Sequence, residues 1–164
     1  MNRLARMSRL SMETWHIVHT GQFAEMGELF GTPSVYELAR LQAERHRWLE
    51  SQKQGRDVGP QALQDWSRTH WTRFCRWRYL EHLLGYCRYR EFDLRCFASL
   101  LEHQDWRLDP VMEFTLHQML RQDREQLDVL VLAPLDFNRH RLLSVLRLLN
   151  LNDARLTVPE FHYC

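Results

Sequence analysis

The chain has 164 residues, of which 45% are hydrophobic and 12% aromatic. It is therefore long enough to bury a core and too apolar to be a disordered protein. A net charge of +1 gives no overall field that would attract a polyanion. Of its 22 basic residues only Lys53 is a lysine, so the chain is arginine-rich. We expect a single domain over residues 1–164, with a disordered N-terminus at residues 1–10.

The four cysteines form no C-x-x-C pair, and no secretory hydrophobic region is present. This pattern favours unpaired thiols in a reducing compartment, and we expect a cytoplasmic protein. No apolar run approaches the roughly 20 residues of a membrane span. We therefore expect no membrane association.

Three long amphipathic helices are predicted in the N-terminal half. The first runs from Met12 to Phe30, with His19 on its apolar seam. The second begins after Ser34, which forms a capping box with Glu37, and reaches about Lys53. Its predicted inward arc consists of Val35, Leu38, Leu41, Trp48 and Leu49.

The third predicted helix opens at Pro60 and stops before Gly85. It carries two apolar faces, which is typical of a central helix. Only a narrow strip of it is predicted to be solvated, namely Gln61, Asp65, Arg68, Thr72 and Arg76. A short fourth helix is expected from Asp93 to Leu101. A fifth opens at Asp109 and Pro110 and continues to about Gln126.

The C-terminal third shows a different pattern. The apolar run from Asp128 to Ala133 predicts a buried strand, Asn138 to Leu149 a helix with Asn150 as its left-handed end, and Ala154 to Val158 a second strand. A third strand would come from Tyr86 to Arg90 or from a second subunit, because two parallel strands make a poor sheet. The predicted fold is mainly α, with three long N-terminal helices, shorter helices and a small C-terminal β-α-β-like element.

Five polar residues lie on faces where packing favours apolar ones: His19, Arg45, His46, His70 and Glu81. Burying such groups without partners is costly, so we expect them to converge between the first three helices. Antiparallel packing of the second and third helices would bring Arg45 and His46 nearer to His70 than to Glu81, which allows one cluster or two smaller ones.

Two interpretations of this cluster remain open. In the first, the cluster is a structural network in which every buried polar group has a hydrogen-bonding partner, with Arg45 paired to Glu81. In the second, it lines a pocket in which a histidine acts as a base or metal ligand. No nucleophile, phosphate-binding or metal-ligand motif is present, so no catalytic residue, metal or cofactor is predicted.

The segment from Trp66 to Phe92 interleaves six arginines with eight aromatic residues. Guanidinium groups and aromatic platforms hold single-stranded nucleic acid, and Arg88, Tyr89 and Arg90 form the part expected to be exposed. The alternative is an aromatic core edged by arginine stems. With no catalytic motif and an incomplete sheet, the first hypothesis for function is a protein-interaction or assembly module, in a homodimer or a larger complex. Nucleic-acid binding comes second, and a small helical enzyme or metal-binding protein third.

Overall fold

The computed structural model of the chain describes residues 31–103 and 109–161. Helices account for 67% of these residues, and none of the described residues forms a strand. The mainly α prediction is confirmed, and the predicted C-terminal β-α-β element is wrong. Residues Ser34–Cys164 form one compact unit. The first predicted helix, with His19, and the disordered 1–10 segment lie outside the described residues, so the single domain over 1–164 stays a prediction.

Helix α1 (Val35–Gln54) begins and ends close to its predicted bounds. The Ser34 side chain accepts hydrogen bonds from the backbone N–H groups of Tyr36 and Glu37, at 3.1 and 3.4 Å. The helix ends at Gly55, whose φ of +64° lies in the left-handed region that favours glycine.

The other half of the predicted capping box is supplied from a distant loop. The Glu91 carboxylate accepts the backbone N–H of Val35 at 2.9 Å and the hydroxyl of Ser34. Glu37, the predicted partner, instead accepts a hydrogen bond from Arg90 at 2.9 Å. The loop that follows the next helix therefore holds the first turn of α1.

Helix α2 (Gln61–Leu83) is the central element. It follows Pro60 and ends just before Gly85, which has a φ of +70°. Helix α1 packs along it in the antiparallel sense, with Tyr36 stacked on Trp71 at 5.5 Å between ring centroids. Both apolar faces of α2 are covered by neighbouring elements, as its sequence pattern predicts.

The inward arc predicted for α1 is partly wrong. Val35 and Leu38 are buried, together with Ala39 and Ala43. Leu41, Trp48 and Leu49 are exposed. The two alanines let α1 approach α2 closely, and this rotates the larger apolar residues to the outside of the helix.

The segment after α2 turns back along it as two short 3₁₀ helices, Leu94–Cys96 and Ser99–Glu102. Asp93 caps the first by accepting the backbone N–H of Arg95 at 2.9 Å. The single helix predicted from Asp93 to Leu101 is interrupted at Ala98, whose φ is +61°.

Helix α3 (Pro110–Leu116) is capped by Asp109, as predicted. It continues into one π-helical turn, His117–Arg121, and ends there instead of reaching Gln126. The chain reverses at Asp123, whose φ of +55° is incompatible with a continuing right-handed helix.

Helix α4 (Gln126–Leu132) occupies the place of the first predicted strand. A capping box explains its conformation, because Asp128 accepts the backbone N–H of Glu125 at 3.1 Å and the Glu125 side chain is bonded in return. Val129 is the one fully buried residue of the run, so this segment never had the two buried faces that a buried strand needs.

Helix α5 (Arg139–Leu149) ends at Asn150 in the left-handed conformation, as predicted, and Asn138, predicted as its first residue, is its N-cap. A 3₁₀ helix, Leu151–Ala154, packs on α2. The second predicted strand, Ala154 to Val158, begins at the last residue of this 3₁₀ helix and continues without regular structure, and the candidate third strand, Tyr86 to Arg90, is a loop.

Candidate functional site

The predicted polar cluster is only partly assembled. The rings of His46 and His70 meet edge to face between α1 and α2, with 5.9 Å between their centroids. Trp66 lies 6.1 Å from the His70 ring, and Arg73 Nη2 is 3.4 Å from its Nδ1. Burial, reinforced by the charges of Arg73 and His46, lowers the pKa of His70. The pair supplies two imidazoles and no third ligand.

The other three members lie elsewhere. Arg45 is exposed, because its position on α1 faces away from α2, so the predicted pairing with Glu81 is wrong. Glu81 is buried with other partners near the end of α2. His19 lies outside the described residues. The structure therefore brings together His46 and His70 only.

Glu81 belongs to a buried network that the sequence did not predict. Its carboxylate lies 2.9 Å from Arg78 Nη2, one helical turn earlier, and accepts the Tyr89 hydroxyl at 2.6 Å. Arg78 Nη1 also donates to the Tyr89 oxygen at 3.4 Å. Burial raises the pKa of both Glu81 and Tyr89. Arg78, Glu81 and Tyr89 are all buried and bond one another, which is the geometry of an architectural ion pair.

His82 binds the same loop from the next position of α2. Its Nδ1 accepts the backbone N–H of Tyr89 at 3.2 Å, so Nε2 carries the proton and donates to the Asp93 carbonyl at 3.1 Å. The ring is fully buried, and burial lowers the pKa of His82. A neutral imidazole thus fixes both ends of the loop.

Arg76 was predicted to be solvated, yet its side chain is only 1% exposed. Its guanidinium donates to the carbonyls of Met119 and Arg124 at 3.0 and 3.3 Å, and to Asp123 and Glu125 at 3.1 and 2.8 Å. These are the carbonyls and carboxylates left where the π-helical turn ends. Arg76 therefore lies on the strip of α2 that was predicted to be solvated, yet it is buried and has a structural role.

The three residues of the candidate nucleic-acid site, Arg88, Tyr89 and Arg90, do not share one exposed surface. Arg88 is exposed, but Tyr89 is buried and its hydroxyl is bound to Glu81. Arg90 pairs with Glu37 at 2.9 Å. A buried ring offers no face on which a base can stack, so these three residues do not form the predicted platform.

A cleft of about 300 Å³ lies between α2 and the chain after Ala154. Its only cysteine is Cys75, and burial raises the pKa of that thiol to about 12, which leaves no thiolate at neutral pH. Across the described ranges, no three His, Cys, Asp or Glu side chains are placed to hold a metal ion. Nothing in this cleft corresponds to a catalytic arrangement.

The most distinctive surface feature is apolar. On α4, Leu127 and Val131 point straight away from the core and are 71% and 77% exposed. Leu132 is half exposed, and Leu135 in the following turn is fully exposed. We call these four residues the α4 ridge. Single exposed apolar side chains are ordinary, but a contiguous group of this kind marks an interaction site.

This ridge was not predicted from the sequence, because the run from Asp128 to Ala133 was assigned to a buried strand. Leu127 and Val131 are spaced by four, which is a helical period, whereas a buried strand would use every residue. The signal that was available is Glu125 three positions before Asp128, an acidic variant of the capping box. With the sheet absent, the argument for a dimer from an incomplete sheet no longer applies.

In comparisons with family models, curated proteins and solved structures, nothing matches this chain. Among the described helices, none has the length and apolar content needed to cross a membrane. The function must therefore be argued from the surface of the described residues.

Proposed function

We propose that this protein is an assembly module that forms a homodimer through the α4 ridge. The single observation that supports this is the group of four large aliphatic side chains turned to solvent at Leu127, Val131, Leu132 and Leu135. Removing a Leu or Val side chain from water stabilises a complex by roughly 1–3 kcal/mol. A second copy of the same ridge provides a matching apolar surface.

A two-fold axis through the centre of the ridge gives the simplest pairing. The two α4 helices then run antiparallel, with Val131 facing Val131 of the second copy and Leu127 facing its Leu135. Exposed charges flank the ridge with opposite signs, Arg124 before it and Asp136 after it. Antiparallel pairing brings each arginine toward the aspartate of the other copy, so the rim of the surface is complementary to itself.

The two alternatives have weaker support. Nucleic-acid binding at residues 88–90 lacks an exposed ring, and neither of the two clefts found among the described residues contains paired catalytic groups. We keep the cytoplasm as the proposed compartment, because Cys75, Cys87 and Cys96 are all free thiols.

A charge exchange at Val131 tests the dimer. We expect the wild-type chain to approach twice the mass of one chain with rising micromolar concentration, by light scattering or sedimentation. Val131→Lys and Val131→Glu should each be monomeric, because equal charges would meet at the two-fold axis. An equimolar mixture of the two variants should recover the dimer, since lysine then faces glutamate.

Both substitutions are made at an exposed helical position where lysine and glutamate are better helix formers than valine, so neither should unfold the chain. Val158→Lys, at another exposed valine, is the matched control and should dimerise normally. A wild-type chain that stays monomeric throughout, or variants that dimerise alone, would contradict the proposal. Loss of the dimer in both variants without recovery in the mixture would place Val131 away from any two-fold axis.

A further inference from the structure

A second apolar surface lies on the exposed side of α1. Its members are Leu41, Arg45, Trp48 and Leu49, which we call the α1 outer face. Trp48 is 60% exposed, and Leu41 and Leu49 are about 40% exposed. The spacing of i, i+4, i+7 and i+8 places all four along one side of the helix. Tryptophan and arginine, both present on this face, are the residue types enriched in binding hot spots.

The outer face continues into an open cleft of about 600 Å³ at the end of α1. Trp48 and Arg47 form one wall, and Arg56 and Asp57 in the following loop form the other. Leu41 and Leu49 are about 12 Å apart along the helix axis, so the apolar surface is elongated. That shape fits a helix lying in a groove better than a compact small molecule.

The charges around this face are unbalanced. The carboxylates of Glu44 and Asp57 are 3.8 and 3.9 Å from Arg47. By contrast, Arg45 and Arg56 have no ion pair with the described residues, and Arg40 on the neighbouring turn has none either. Arg45 lies between Leu41 and Trp48, inside the apolar stripe. The unpaired charge on the outer face is therefore positive.

We propose that the α1 outer face binds an amphipathic helix of another protein, with leucine-type residues over Leu41 and Trp48 and acidic residues toward Arg45 and Arg56. A second copy of this chain is a poor occupant, because the same excess of arginines would face itself. A phosphate backbone is also disfavoured, because Glu44 and Asp57 line the cleft and the leucines offer no stacking face. The inference goes beyond the homodimer and does not depend on it.

The test uses the full chain and two labelled synthetic helical peptides with the same leucine stripe. One peptide carries glutamates along its rim, and the other carries lysines. By fluorescence anisotropy we expect the glutamate peptide to bind at least about tenfold more tightly than the lysine peptide. Trp48→Ala should weaken that binding by about tenfold or more. Arg45→Glu should shift the preference toward the lysine peptide.

Matched controls separate this face from the rest of the surface. Leu94→Ala removes a side chain that is also 60% exposed, and Arg68→Glu reverses an exposed charge on α2; neither should change the binding. Val131→Lys should also bind the glutamate peptide normally, which separates this surface from the dimer. Circular dichroism should show the same fold in all of these variants.

Three results would overturn the inference. The first is equal affinity for the two peptides, or no binding of either. The second is binding that Trp48→Ala leaves unchanged. The third is evidence that something else binds this face. Loss of self-association in Trp48→Ala would identify a second copy of the chain. Trp48-dependent binding of single-stranded oligouridine, without binding of the glutamate peptide, would identify a nucleic acid.

Discussion

At the scale of single residues, the protonation state of His82 links the stability of the fold to pH. Its two hydrogen bonds to the loop, from the Tyr89 N–H and to the Asp93 carbonyl, require a neutral ring with one proton. Burial lowers the pKa of His82 in the folded chain below the ordinary value of 6.5. The unfolded chain therefore takes up a proton first as the pH falls. The contribution of His82 to stability is complete above pH 6.5 and is lost as the pH falls below it, through the folded-state pKa.

We expect His82→Gln to lower the free energy of unfolding at pH 7 by about 1–3 kcal/mol, because two buried hydrogen-bonding groups lose their partner. The variant should also lose less stability than the wild type between pH 7 and pH 5. Urea unfolding at several pH values measures both effects. His70, whose pKa is also lowered, and Glu81, whose pKa is raised, remain in both proteins, so their contributions cancel in the difference.

An independent measurement does not need the variant to fold. In the wild-type chain, the NMR signals of the His82 ring should titrate below pH 6.5, because burial lowers its pKa. A His82 ring that titrates at or above pH 6.5 would contradict the buried neutral imidazole.

Residues whose role is local were predictable, and residues whose role depends on distant partners were not. Ser34, Asp93, Asp109 and Asn150 act within one turn of their own helix, so their caps follow from the adjacent sequence. The burial of Arg76 depends on the carbonyls of a turn more than forty positions later. Nothing in the neighbourhood of Arg76 in the sequence indicates that contact.

At the scale of elements, Arg76 joins α2 to the end of the π-helical turn and the start of α4. We expect Arg76→Met to lower the free energy of unfolding by about 2–3 kcal/mol, because the carbonyls of Met119 and Arg124 would lose a charged donor. The loss should stay below that of a fully buried ion pair, since Asp123 and Glu125 are each almost half exposed and can be hydrated. Thermal or urea unfolding measures it.

The control for Arg76 lies two turns earlier on the same strip of α2. Arg68→Met changes the same side chain at an exposed position and should alter the free energy of unfolding by less than about 0.5 kcal/mol. Equal effects of the two substitutions would show that the contacts of Arg76 add nothing to stability.

The long helices were predictable because periodicity and caps agree over many residues, as in α1 and α2. The C-terminal element was not, because a run of five apolar residues, two of them β-branched, fits a strand or a helix equally well. Two features favour the helix. Glu125 and Asp128 form a capping box at its start, and Val129 alone enters the core. On α1, sequence reasoning assigned Leu41, Arg45 and Trp48 to the buried arc, and the structure exposes all three.

At the scale of the whole molecule, the described residues carry two apolar surfaces on different elements. The α4 ridge is uniform and aliphatic, and its flanking charges match their own two-fold image. The α1 outer face combines an aromatic residue with arginines that form no ion pair with the described residues, which favours a different partner. A protein with this division would dimerise through one surface and recruit a second chain through the other, so each dimer would present two recruiting surfaces.

The distant capping of α1 by Glu91 has a consequence for how the molecule opens. The amide proton of Val35 is bound to a carboxylate from the loop after α2, so it can exchange with deuterium only when that loop detaches. We expect the amide protons of Val35 and Tyr89 to exchange at one common rate in the native state, instead of Val35 following the fraying of its own helix. Glu91→Ala should speed exchange at Val35 by several-fold, in line with a cap of about 1 kcal/mol, and leave Ala43 in the middle of α1 unchanged.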